Sequence, residues 1–189
     1  MNNITLTFFP VDIKVVKSCF ISTIGSKYSS CYINNYTESL QKYYIQQYSA
    51  PQVKFILFAP KDNPHTTIMF ANIIDGYINL VKYISQKCDI EYYNVSIFDN
   101  NQSQMMEAYH FHYYSRNTER HLLCYQDPQW VFLEEGQPLW FEKPTYYKQR
   151  IKKNRLNKRM IIEYLKSLGW DVDKEIFWLP SNGLYEFSK

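Results

Sequence analysis

The chain has 189 residues, 46% of them apolar and 18% aromatic, with a formal charge of +3. That composition supplies a core to bury and excludes a disordered chain, and the length suits one ordinary domain. A net charge this small names no partner.

In chain order, "NITLTFFPV" alternates and meets Pro10, which predicts a first strand. Residues 18–25, "SCFISTIG", read as a second strand ending at Gly25. A helix is expected over 34–50, with Asn35 as N-cap and Leu40, Tyr44 and Tyr48 at spacing four. Pro51 stops it. "VKFILFAP", 53–60, is a near-continuous apolar run and reads as a central strand covered on both faces. Residues 65–87 predict a helix, because Ile68, Ala71, Ile74, Ile78 and Val81 recur at spacings of three and four.

Strands are then expected at 90–99, 105–116 and 120–126. Residues 129–143 read as a hairpin of two aromatic runs around "EEGQP", with Gly136 supplying a positive φ. A basic helix is expected from 146, with Thr145 as N-cap and Gly169 in the C′ position. The tail reads as a last pair of short strands around Pro180-Ser181-Asn182-Gly183. The pattern predicts an α+β fold: a single domain over 1–189, with a mixed or largely antiparallel sheet and about three helices.

Motifs that carry chemistry are few. The five glycines make no phosphate loop, no cofactor motif occurs, and neither G-x-S-x-G nor H-E-x-x-H appears. His110-x-His112 is the nearest thing to a metal motif, since both imidazoles share one strand face. It lacks a third ligand: Glu107 falls on the opposite face, and His121 reaches the pair only from across the sheet. His121 and Cys124 would face opposite sides of a strand, which defeats a nucleophile–base contact. Glu134-Glu135 beside a turn reads as solvated charge. The sequence therefore implies no catalytic or metal site and no cofactor. The cysteines, Cys19, Cys31, Cys88 and Cys124, form no C-x-x-C pair, and read as free thiols of a cytoplasmic protein. No membrane span or signal peptide is read.

Charge is unevenly distributed. Residues 61–145 carry eleven acids against six cations, and 146–169 carry eight cations against Glu163. On a helical wheel Lys148, Lys152, Arg155, Arg159 and Lys166 form one stripe. This stripe is either a phosphate-tracking ridge for nucleic acid or a wet edge paired with the acidic middle of the same chain.

The stretch 154–187, about a sixth of the chain, carries an Arg155-Leu156 entry, a Tyr164-Leu165…Leu168-Gly169-Trp170 exit and a Phe177-Trp178 strand. It resembles C-terminal segments of immunity proteins from contact-dependent and polymorphic toxin systems. The resemblance implies a non-catalytic cytosolic protein that neutralises a cognate toxin, for example a nuclease, by covering its working surface. It carries over no family site. Lys outnumbers Arg 16 to 5, and the composition suggests an AT-rich gene, common among mobile toxin–immunity cassettes. The expected partner-binding surface is the acidic aromatic hairpin: Asp127, Trp130, Glu134, Glu135 and Trp140.

Overall fold

The structure is a computed structural model that describes residues 3–40, 54–71, 73, 75–99 and 107–188. Its nine strands are β1 (Ile4–Phe9), β2 (Ser29–Asn34), β3 (Lys54–Pro60), β4 (Thr67–Ala71), β5 (Tyr92–Phe98), β6 (Ala108–Ser115), β7 (Thr118–Asp127), β8 (Gln129–Glu135) and β9 (Pro180–Ser188). They form one sheet in the order β2-β9-β3-β4-β1-β5-β6-β7-β8. Every neighbouring pair is antiparallel. Among the described residues the α-helices are α1 (Ile13–Ile24), α2 (Ile78–Cys88) and α3 (Lys158–Ser167). The fold is α+β, as the pattern predicts.

Period-two alternation sends each strand's residues to two faces. On one face Leu6, Phe8, Ile56, Phe58, Ile68, Val95, Phe111 and Leu122 meet Met160, Ile161, Tyr164 and Leu165 of α3. On the other, Phe9, Phe55, Leu57, Met69, Tyr92 and Phe187 meet Val16, Phe20 and Ile24 of α1 and Val81 and Ile84 of α2. The middle strands are covered on both sides, which explains the unbroken apolar run of β3.

Several elements differ from the sequence reading. Residues 18–25 lie in α1 and its cap, not a strand: Val16, Phe20 and Ile24 are buried at spacing four, and Asp12 accepts from Lys14 N at 2.8 Å. Residues 65–87 are not one helix. Thr67–Ala71 is β4, fully buried, so its apolar run mimics a helical stripe, and α2 begins only after Gly76 and Tyr77 at positive φ. The helix expected over 34–50 lies, from residue 41, outside the described residues, and Asn35 itself sits in a left-handed turn. The hairpin lies earlier than expected: β7 turns into β8 at Pro128, and residues 136–145 form no strand. The tail is one strand, β9, and Phe177-Trp178 belongs to a 3₁₀ turn, Glu175–Trp178.

The basic helix is broken as well. Residues 146–169 form two 3₁₀ turns, Tyr146–Lys148 and Lys152–Asn154, and then α3. Asn157, not Thr145, caps the helix, its side chain accepting from Met160 N at 3.2 Å. The expected stop holds: Gly169 has φ 86°, its N–H reaches Lys166 O, and Trp170 N–H reaches Leu165 O. That is a Schellman closure.

Asn157→Ala is expected to lower stability by about 1 kcal/mol, with Asn157→Ser keeping most of it, as checked by urea unfolding.

Candidate functional site

Arg120 points from β7 into the core and is fully buried. A buried guanidinium must spend its donors, and this one does. Nε donates to both Glu142 oxygens, at 3.0 and 3.1 Å. Nη1 donates to the carbonyls of Glu135 and Gly136, and Nη2 to Glu134 Oε1 and Glu142 Oε2. Glu142 also accepts from Leu139 N–H and from Tyr147 O–H, and Tyr147 shares a 2.7 Å hydrogen bond with Tyr164 of α3. Burial opposes charge on Arg120, but its hydrogen bonds to Glu142 and Glu134 outweigh it and raise the pKa. Burial, then Tyr164 and Glu142, raise that of Tyr147.

Gly136 makes the cluster possible. Its φ is +78°, and a Cβ there would run into the Glu119 carbonyl oxygen. The loop after β8 is thus tied at Gly136, Leu139, Glu142 and Tyr147 to one buried charge. On that loop Trp140 is 79% exposed, its ring edge-on to Phe141.

The five residues of the expected acidic hairpin do not form one surface. Asp127 ends β7 opposite Gln129, and Glu135 lies at the far end of β8, about 20 Å away at strand rise. Glu134 is not a free solvated charge, because it is paired with Arg120 at 2.9 Å. Trp130 is half-buried, stacked on Tyr109 and lying under Lys153. Glu135 is exposed, on the opposite face from Glu134. Trp140 alone of the two tryptophans is presented to solvent.

The basic stripe is dispersed too. Lys166 pairs with Asp171 and Asp173, and Arg155 donates to Gln149 O and lies over Phe132. Lys153 pairs with Glu107 and Lys158 with Asp99, so the acidic middle does neutralise part of this segment. Lys143 pairs with Glu163. Lys148, Lys152 and Arg159 stay exposed with no ion pair among the described residues.

The second sheet face holds an arrangement of which the sequence reading named only the three histidines. Register places Thr7, Asn94, His112, His121 and Glu135 side by side across β1, β5, β6, β7 and β8. Thr5, Ser96 and His110 form a parallel row. Thr5 donates to Ser96, and Asn94 to Thr7, both at 2.9 Å. The three imidazole rings lie 4.8–5.9 Å apart. His112 is buried, with Nε2 2.8 Å from Glu119 Oε1 and Nδ1 3.3 Å from Tyr92 O–H. Both nitrogens of His112 are thereby spent, and among the described residues no three His, Cys, Asp or Glu are placed to hold a metal ion. The signal was period-two polarity in "ITLTFF" and "YYNVSIF", which reads as a wet face; instead the turn at Gly76, just before α2, sits so close that a Cβ there would run into Thr5 and approach Asn94.

Burial, followed by His121 and His112, holds the His110 pKa down to about 3. Burial also lowers His112 against the opposing pull of Glu119, and lowers His121 against Glu135 and Glu119. His121 and Cys124 face opposite sides, and Cys124 donates to Lys152 O at 3.3 Å. All four cysteines are free thiols. Among the described residues no helix is long and apolar enough to cross a membrane. Comparison with protein-family models, curated proteins and solved structures finds no match.

Two outcomes are expected. Arg120→Met strands the Glu142 carboxylate in the core and costs about 3–5 kcal/mol, while Arg120→Met/Glu142→Leu regains most of it in urea unfolding. Folded His110 binds fewer protons than its unfolded form, so its contribution is full above pH 6.5 and is lost as pH falls towards 3. Stability should drop between pH 6.5 and 5 by about 2 kcal/mol from His110 alone; a flat or rising profile contradicts this.

Proposed function

We propose that this chain is a non-catalytic protein-binding module of the toxin-neutralising kind, acting in the cytoplasm by covering the working surface of a bacterial toxin domain. The observation that supports it is Trp140: a large aromatic side chain, 79% exposed, on a loop tied to a buried ion cluster. Tryptophan is a favoured interface anchor, and an anchor already held in place loses little freedom on binding. Glu135, exposed at the end of β8 on the other sheet face, would lie outside that contact and act only by steering encounter with a basic partner. An interface of ordinary size, about 1,600 Å² in total, would suffice. The C-terminal resemblance to immunity proteins supports the same reading.

A nucleic-acid reading keeps one observation in its favour: Lys148, Arg150 and Lys152 are exposed on one short segment without an ion pair among the described residues. Phosphate binding would fall log-linearly with salt and would collapse when all three are replaced by Glu.

The test pairs the chain with a toxin domain encoded beside its gene. Trp140→Ala should weaken that complex at least tenfold and reduce survival of cells making the toxin, while stability changes by less than about 0.5 kcal/mol. Unchanged affinity would refute the role of Trp140, and salt-sensitive binding to a 20-base-pair DNA duplex instead would favour the second reading.

A further inference from the structure

Two of the four thiols meet. Cys19 lies on α1 and Cys88 ends α2, and these helices pack on the same sheet face and touch each other. Val16, Cys19 and Phe20 share one stripe of α1, and Val81, Ile84 and Cys88 share one stripe of α2, at helical spacing. The four apolar members of those stripes are buried in one cluster, and both cysteines pack against its rim. The two stripes bring the thiols of Cys19 and Cys88 together across the helix pair, where they interact directly. Each cysteine is only half-buried, so the pair keeps an open side.

The other two cysteines stand apart. Cys124 is buried on the opposite sheet face and donates to Lys152 O. Cys31 is exposed on β2 and donates to Tyr32 O. About 70 residues separate Cys19 from Cys88, and that stretch holds β2, β3 and β4. A bond between the two sulfurs would close this long loop and remove much of the freedom of the unfolded chain. Burial, followed by Cys88, pushes the Cys19 thiol up to about 11. Cys19 therefore holds its proton, and the first attack on an oxidant falls to Cys88.

We propose that Cys19 and Cys88 form a modification site, a dithiol that a small disulfide of the glutathione type converts into a reversible bond between α1 and α2. Cys88, as thiolate, attacks one sulfur of the small disulfide RSSR. A mixed disulfide forms on Cys88, and RS⁻ leaves and takes up the proton that Cys88 gave away. Cys19 then loses its proton and attacks the Cys88 sulfur, and the second RS⁻ leaves and takes that proton. The two protein thiols are oxidised by two electrons, and RSSR is reduced to two RSH. In a reducing pool the exchange runs backwards, so the free thiols of the structure are the reduced state. The site lies on the sheet face opposite the Arg120 cluster and does not depend on binding at Trp140.

Oxidised glutathione, added to the whole folded chain, tests the site, with an acid quench, digestion without reduction and mass spectrometry of the peptides. A linked peptide pair joining Cys19 to Cys88 should appear, with Cys124 unreacted and a glutathione adduct on Cys31. Dithiothreitol should remove the link, and Cys31→Ser should form it as the unaltered chain does. Cys19→Ser should stop at a glutathione adduct on Cys88. In the linked chain the amides of α1 and α2 should gain at least about tenfold in hydrogen-exchange protection. Separate adducts on Cys19 and Cys88 overturn the proposal, as does no reaction at either under conditions that label Cys31. So does a bond from either one to Cys31, or a Cys19–Cys88 link that forms only in urea and so belongs to the unfolded chain. These readouts need only the unaltered chain, so they decide even if a variant does not fold.

Discussion

One buried guanidinium ties down the loop that follows β8. Arg120 is held in the core with both oxygens of Glu142, a carboxylate oxygen of Glu134 and two backbone carbonyls around it. Such a cluster contributes little net stability over a well-packed apolar one, because desolvating the charges costs about what their attraction returns. What it does supply is direction. Apolar side chains can slide past one another, whereas the fork of a guanidinium accepts few arrangements. Through Leu139 N–H and Tyr147 O–H the cluster fixes the loop, and through Tyr164 it fixes α3.

The consequence is a division of labour between the two sheet faces. One face carries the ion cluster, α3 and the loop that presents Trp140. The other carries α1, α2 and the polar rows that end in Glu135. Strand β7 serves both, with Arg120 and Leu122 on the first face and Glu119 and His121 on the second.

Legibility in the sequence follows from range. Strands β5, β6 and β7 were readable because each alternates over seven residues or more, and β3 because both its faces are covered. The stop of α3 at Gly169 was readable because the signal is local. Helix α1 was misread because "SCFISTI" is rich in β-branched residues, and its buried stripe of Val16, Phe20 and Ile24 begins before that stretch. Strand β4 was misread because a doubly buried strand next to a helix prolongs the helical spacing.

The site was less legible than the fold. Glu142 lies 22 residues from Arg120, and nothing in "LWFEKP" marks its carboxylate as buried. The same gap misled the reading of Glu134, whose neighbour Glu135 does reach solvent. The polar rows could be seen as alternation, but not that Thr5, Thr7, Asn94, Ser96 and His112 are buried, since the register of five strands decides which residues meet. Trp140 was named from sequence for its type, and only the loop geometry separates it from Trp130.

The central claim is that the Arg120 cluster holds Trp140 in place, and the backbone NMR order parameter at Trp140 measures that directly. It should be close to 0.85 in the unaltered chain and fall below about 0.6 in Arg120→Met/Glu142→Leu, with α3 still folded. An order parameter that is equally high in both, or already low in the unaltered chain, would contradict it.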